Sequence, residues 1–91
     1  PNSAARTLVS NELIQLGNAA YRNGKPDEAL NLYTESARIM PSNAEAYFNL
    51  GGIYLMKKEI LKARENWQKT LSLNPNHAEA KNWLTRTAGA K

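Results

Sequence analysis

Apolar and polar residues follow one another with the period of an α-helix over most of the chain. One helical face is marked by four positions spaced three, one and three residues apart: Tyr47, Leu50, Gly51 and Tyr54. A second face follows at Ala63, Trp67, Leu71 and Leu73. The run then stops at Pro75, because proline interrupts a helix. This spacing predicts two antiparallel helices joined by a short turn.

The same pattern recurs 34 residues earlier in the chain. Gly17 corresponds to Gly51, and Pro41 corresponds to Pro75. An internal period of this length is typical of stacked helical hairpins. We therefore predict an all-α fold with four segments, which are an N-terminal arm (1–9), a first unit (10–43), a second unit (44–77) and a C-terminal capping helix (78–91).

Glycine and proline mark where the helices of the first unit begin and end. We expect Gly24 to end the first helix in the left-handed conformation, and Pro26 suits the first turn of the next helix. Gly17 lies within a helix, where glycine costs about 1 kcal/mol relative to alanine. We expect it to let a neighbouring helix approach closely. The first helix is predicted to begin between Thr7 and Ser10.

Two residue pairs have the spacing of a capping box, Ser42 with Glu45 and Asn76 with Glu79. They predict the starts of the second unit and of the last helix. The chain has a single histidine, His77, at the entrance of the last helix. We interpret it as a capping or surface residue, because one histidine does not make a metal site.

These anchors resemble the tetratricopeptide repeat family from Ser10 to about Ala88. The second unit supplies Tyr47, Leu50, Gly51, Tyr54, Ala63, Trp67, Thr70 and Pro75. The first unit supplies Leu13, Leu16, Gly17, Ala20, Ala29, Tyr33, Ser36 and Pro41. Leu13 and Ala20 are smaller than the family's usual residues, and Ser36 and Thr70 stand where alanine is usual. The resemblance implies a right-handed helical-hairpin solenoid whose first helices line a concave groove that commonly binds peptides or helices.

Charge and composition narrow the range of functions. The net charge is +4, with four basic and five acidic residues in 1–56 but eight basic and three acidic in 57–91. A basic half could favour acidic partners, although charge runs are usually solvated surface. The carboxylates are scattered and no phosphate-binding loop is present, so we expect no enzyme activity, no cofactor and no metal site. Exposed aromatic and basic residues do not interleave, so we expect no nucleic-acid binding.

Other features bear on the protein's location. No stretch reaches the roughly 18 apolar residues that would cross a bilayer, and we expect no membrane insertion. The chain contains no cysteine, which fits a reducing compartment, and we expect a cytoplasmic protein. Because the first residue is Pro1, we expect the chain to be trimmed from a longer one.

Helix positions one residue away from the core stripe are expected to face the groove. The candidate peptide-binding residues are Asn18, Tyr21, Arg22, Phe48, Asn49, Leu55, Met56 and Arg86. The two amides would hold peptide backbone, the apolar side chains would take apolar groups, and the arginines would take an acidic residue. Ile14 and Gly52 are expected in the same hollow. Alternatively, Leu55 and Met56 complete the core of their hairpin and the N-terminal arm covers the rest.

One subgroup of the family, the co-chaperones, clamps a C-terminal carboxylate with two asparagines and several basic residues. Asn18 and Asn49 match the asparagines, but Ile14, Glu79 and Trp83 stand where the basic residues would be. Amides alone do not neutralise a carboxylate, so we expect no such clamp. The leading hypothesis is a non-catalytic interaction module for a partly apolar peptide or amphipathic helix. The alternative is self-assembly through the groove, the arm or the last helix.

Overall fold

A computed structural model describes residues 3–90 of the chain. These residues form five α-helices and no strand, which confirms the all-α prediction. The helices are α1 (Ser3–Arg22), α2 (Pro26–Ile39), α3 (Ala44–Met56), α4 (Ile60–Leu73) and α5 (Ala78–Arg86). Within the described range, none of them has the length and apolar character that a membrane span requires.

The helices pack as consecutive hairpins, which makes the predicted helical-repeat solenoid. α1 packs on α2 and α3 packs on α4, while α2–α3 and α4–α5 contacts join the layers. One buried cluster lies between the hairpins and is built around Tyr33, Leu50 and Ile53. A second cluster seats α5 on α4, where the Trp67 and Trp83 rings stack with centroids 5.5 Å apart. The result is an elongated body of 42 × 30 × 17 Å.

An aromatic ring seated on a glycine sets the spacing within each hairpin. A Cβ atom added to Gly17 would lie 2.5 Å from Tyr33 Cε1, and one added to Gly51 would lie 2.6 Å from Trp67 Cδ1. Neither glycine therefore has room for a side chain, which confirms the expected close approach at Gly17. The ring of Trp67 is buried, and its Nε1–H has no hydrogen-bond partner within residues 3–90.

The first helix begins earlier than predicted. Residues 3–9, expected to form an arm, are the first turns of α1, while Pro1 and Asn2 lie outside the described residues. Ala4 and Ala5 favour a helix intrinsically, and Thr7 Oγ1 donates a hydrogen bond to the Ser3 carbonyl at 2.9 Å. A segment without amphipathic period can still be helical when its residues favour that conformation.

Two apolar residues of α1 do not lie where the pattern predicts. Ile14, expected in the groove, is buried in the first cluster, whereas Leu16, expected in the core stripe, is 55% exposed. The equivalent residue of the second unit, Leu50, is only 6% exposed because α2 precedes α3 and covers it. Within the described residues, no helix covers the corresponding side of α1.

Both hairpin turns end their first helix in the same way. Gly24 has φ 75°, as predicted, and Lys58, which lies 34 residues later, has φ 64°. After α1, Lys25 N donates to the Ala20 carbonyl, and after α3, Glu59 N donates to the Tyr54 carbonyl, both at 2.9 Å. These are the bonds of a Schellman motif. Lys58 adopts this left-handed conformation although, unlike glycine, it has a Cβ atom that disfavours it.

The predicted capping boxes are wrong. α3 begins after Asn43 and α5 begins after His77, one residue later than the serine and asparagine of the two boxes. Asn43 Nδ2 donates to Ser10 Oγ at 2.9 Å, beside the buried hydroxyl pair of Ser10 and Ser36 at 2.8 Å. The side chain of Asn43, at the start of α3, therefore makes a contact between helices and does not cap its own helix.

Candidate functional site

A concavity of about 250 Å³ opens between the first and second hairpins. α1 and α3 supply most of its walls, and one residue of α2 reaches it from behind. Its lining combines aromatic and aliphatic surface with two carboxamides. The lining residues are Asn18, Tyr21, Tyr33, Phe48, Asn49, Gly52 and Ile53. The structure thus brings together four of the eight predicted residues: Asn18, Tyr21, Phe48 and Asn49.

A hydrogen bond from the core fixes the orientation of Asn18. The hydroxyl of Tyr33 donates to Asn18 Oδ1 at 2.5 Å. Burial raises the pKa of Tyr33, and the positive charge of Arg22 only partly opposes that rise. The phenol therefore stays protonated and remains a donor near neutral pH. Because Oδ1 is occupied by Tyr33, the Nδ2 protons of Asn18 are left to donate toward a ligand.

The second carboxamide, Asn49, is partly buried on α3. Among residues 3–90, no side-chain hydrogen bond is made by its amide. It can therefore offer both a donor and an acceptor to a ligand backbone. Gly52 lies one turn further along α3, and a Cβ atom added there would meet nothing within 4 Å. The missing side chain keeps the floor of the concavity open.

Phe48 forms the wall on the side of α5. Its ring centroid lies 4.6 Å from that of His77, with the two planes tilted by 36°. His77 is buried and caps α5, since its Nδ1 accepts the Ala80 amide at 3.2 Å. This confirms the interpretation of His77 as a capping residue and connects the cap to the concavity.

The other four predicted residues lie outside the lining. Leu55 packs against the second buried cluster, as the alternative interpretation had it. Met56 ends α3 and is exposed, and Arg22 is exposed at the end of α1. The guanidinium of Arg86 lies 4.6 Å above the Trp83 ring, on α5.

The prediction missed two lining residues, Tyr33 and Ile53, whereas Gly52 lies in the hollow as expected. Tyr33 is a repeat anchor in the pattern and was therefore interpreted as structural, whereas Ile53 is not singled out by the pattern. Both are buried in the first cluster. A tyrosine in the core, unlike a phenylalanine, needs a partner for its hydroxyl when it is buried. That requirement pointed to a polar residue nearby, and Asn18 meets it.

Comparison with known proteins agrees with the periodicity and the fold. The family model described as TPR repeat matches residues 17–58, and that described as Tetratricopeptide repeat matches residues 44–77. The chain belongs to the tetratricopeptide repeat family. Proteins of this family are generally non-catalytic modules for protein–protein interaction.

A curated relative and two solved structures show the extent of the likeness. The TPR repeat-containing protein MJ1428 of Methanocaldococcus jannaschii is 34% identical over 76 residues, which are 81% of this chain and 13% of that protein. The crystal structure of MamA matches with a TM-score of 0.83 at 25% identity, over 91% of this chain and 49% of that one. The first TPR of Spaghetti (RPAP3), bound to the HSP90 peptide SRMEEVD, matches with a TM-score of 0.57 at 20% identity, over 92% and 94%.

Proposed function

We propose that this tetratricopeptide repeat chain is a non-catalytic interaction module that takes a partly apolar peptide or amphipathic helix into the concavity. The observation that carries the proposal is the pairing of apolar walls with two carboxamides that have free donors. Peptide recognition needs such a pairing, because backbone groups of the ligand lose water and must find partners. The RPAP3 domain shares only the fold, so the argument rests on this chain's own residues.

The size and chemistry of the concavity suit one or two apolar side chains. Its volume of about 250 Å³ lies below the roughly 300 Å³ at which small-molecule sites usually begin. Tyr21 and Phe48 supply aromatic walls, and Ile53 supplies the aliphatic floor. Asn18 and Asn49 would hold the backbone on either side of the inserted group. We propose that the exposed guanidinium of Arg22, at the end of α1, donates to an acidic residue of the same ligand.

The arrangement does not favour recognition of a terminal carboxylate. Ile14 is buried in the core, and the Trp83 ring stacks on Trp67 and contacts the guanidinium of Arg86. Glu79, at the third position that a clamp would fill with a basic residue, is exposed and acidic. A ligand with a blocked C-terminus should therefore bind as well as one with a free C-terminus.

Binding can be tested with a positional library of nonapeptides, acetylated and amidated at their ends, by fluorescence polarisation. Phe48→Ala should weaken binding of the selected peptides at least tenfold. Leu61→Ala is the matched control, because Leu61 is 58% exposed and lies on α4, away from the concavity. Circular dichroism would check that both variants fold.

A second variant avoids disturbing the His77 contact of Phe48. Gly52→Ala places a methyl group on the open floor, where it meets no protein atom, and should also lower affinity. Equal affinity of both groove variants and the control would reject this site.

Self-assembly is a second candidate, and a specific feature of α1 favours it. Three large apolar residues on the outer side of this helix are exposed: Leu8 (64%), Val9 (46%) and Leu16 (55%). Contiguous apolar surface of this kind usually marks a contact site. Under this hypothesis, a second copy of the chain covers Leu8, Val9 and Leu16. Sedimentation equilibrium should then show a dimer, and the double variant Leu8→Ser with Leu16→Ser should be a monomer. A wild-type mass of 10.1 kDa at all concentrations would reject self-assembly.

A further inference from the structure

Two side chains, 34 residues apart, connect α1 to the start of α3 and α3 to the start of α5 in the same way. Asn43, just before α3, donates through Nδ2 to Asn11 Oδ1 of α1 at 3.0 Å. His77, just before α5, lies with Nε2 2.7 Å from Glu45 Oε2 of α3. We call these contacts the first joint and the second joint. Both residues are buried, so each joint fixes how one first helix sits against the next.

The joints differ in one chemical respect. The first joint pairs two carboxamides, which carry no charge at any ordinary pH. In the second joint, His77 Nδ1 accepts the Ala80 amide at 3.2 Å, so that nitrogen carries no proton. The proton of the neutral ring is then on Nε2, where it is donated to the carboxylate of Glu45. The ring performs both tasks only in this one tautomer.

We propose that His77 is a positioning residue for the concavity and that acid releases the cap that His77 places on α5, whereas the first joint does not respond to acid. Its consequence for ligand binding rests on the function proposed above. A protonated ring has a donor on both nitrogens and cannot accept the Ala80 amide. Protonation thus removes the hydrogen bond that caps α5 and strengthens the ion pair with Glu45. It also places a positive charge at the positive end of the α5 dipole.

The charges around the ring come from two helices. α3 contributes Glu45, in direct contact, and the first turn of α5 contributes Glu79. The last turn of α4, from which the Asn74 carbonyl accepts the His77 amide at 3.1 Å, holds neither acidic nor basic residues. The carboxylates keep a protonated ring near its place, so acid loosens the cap without expelling His77.

The change reaches the concavity through Phe48. The Phe48 ring lies against the His77 ring, and it is also the wall nearest to α5. When His77 Nδ1 no longer accepts the Ala80 amide, α5 no longer fixes the orientation of the imidazole plane. The Phe48 ring then packs against an imidazole whose orientation is no longer fixed. An apolar ligand group bound in the concavity therefore loses contact with Phe48.

The experiment is an NMR titration of the intact chain from about pH 8 to pH 5, the range in which histidine side chains change charge. Long-range ¹⁵N spectra should show the proton on Nε2 at pH 8. As the pH falls, exchange of the Ala80 amide, corrected for its intrinsic pH dependence, should rise roughly fivefold, the loss typical of a removed N-cap. The Phe48 ring protons should shift with the same midpoint.

The matched control copies the first joint into the second. His77→Asn combined with Glu45→Asn recreates the Asn43–Asn11 pair and contains no titrating group. Its Ala80 exchange and Phe48 shifts should not follow pH. A proton on Nδ1 at pH 8, or Ala80 and Phe48 signals that ignore the titration of His77, would overturn the proposal on the wild-type chain alone.

Affinity for the amidated nonapeptides then separates this inference from the proposed function. Wild type should bind severalfold more weakly at pH 5 than at pH 8, and the double variant should bind equally at both. If no peptide binds at either pH, the proposed function fails, while the NMR result still decides whether the joint responds to acid.

Discussion

Two adjacent glycines of α3 should respond in opposite ways to the same substitution. Gly51 faces α4, where an added Cβ atom would lie 2.6 Å from Trp67 Cδ1. Gly52 faces the concavity, where an added Cβ atom would meet nothing within 4 Å. Both lie within one helix, so the helical preference of alanine over glycine, about 1 kcal/mol, is the same for the two sites.

At Gly52 the helical preference acts alone. Gly52→Ala should therefore raise the free energy of unfolding by about 0.5–1 kcal/mol. For a domain of this size the melting temperature should rise by roughly 2–8 °C.

At Gly51 the new methyl group must displace a ring that has little room to move. The Trp67 ring is 1% exposed and stacks on Trp83. Overpacking a buried site costs about 1–3 kcal/mol, and here the upper part of that range applies. After the gain in helical preference, Gly51→Ala should lower the free energy of unfolding by roughly 1–2 kcal/mol.

Urea unfolding followed by far-ultraviolet circular dichroism would measure both variants against wild type, with the fluorescence of Trp67 and Trp83 as a second probe. Gly17→Ala repeats the Gly51 test on Tyr33 in the first hairpin, 2.5 Å from the added atom. If Gly51→Ala proved as stable as Gly52→Ala, the seating of the aromatic ring on glycine would not set the hairpin spacing, and the reasoning would be refuted.

Two further predictions concern the turn after α3 and the tyrosine behind the concavity. Lys58 holds φ 64° where Gly24 stands in the first hairpin, so Lys58→Gly should stabilise the chain by about 1 kcal/mol in urea unfolding. A Lys58→Ala variant, which keeps the strain, should show no such gain. Because burial raises the pKa of Tyr33, its stabilising contribution is present below the unfolded value near 10 and is lost as pH rises through the higher folded value. Wild type should therefore lose more stability than Tyr33→Phe between about pH 9 and pH 11, and parallel losses in both chains would contradict this.

The periodic part of the fold could be predicted from the sequence because each anchor has a local physical requirement. A glycine opposite an aromatic ring, a glycine that ends a helix and a proline that begins one each constrain their own surroundings. Gly17, Gly24 and Pro26 therefore stand where the pattern placed them. The start of α1 was misjudged because residues 3–9 lack an apolar period but favour a helix by composition.

The candidate site was harder to predict, since its details depend on contacts between helices. Whether Leu16 is covered depends on a neighbouring helix and not on its own spacing. Glu45 is expected in a local cap, but it binds His77, 32 residues away, and Asn43 likewise pairs with the distant Asn11. Similarly, the role of Tyr33 follows from the reach of its hydroxyl to α1.

The two aromatic residues seated on glycine also give the concave surface a direction. The Tyr33 hydroxyl reaches Asn18, but Trp67 ends in an N–H without a partner among the described residues, and Gly52 occupies the place that Asn18 has in the first unit. One unit therefore presents an oriented amide where the other presents bare helix backbone. An extended chain lying across both would meet an amide at Asn18 but no side chain at the equivalent place in the second unit, so its two possible polarities would differ in energy.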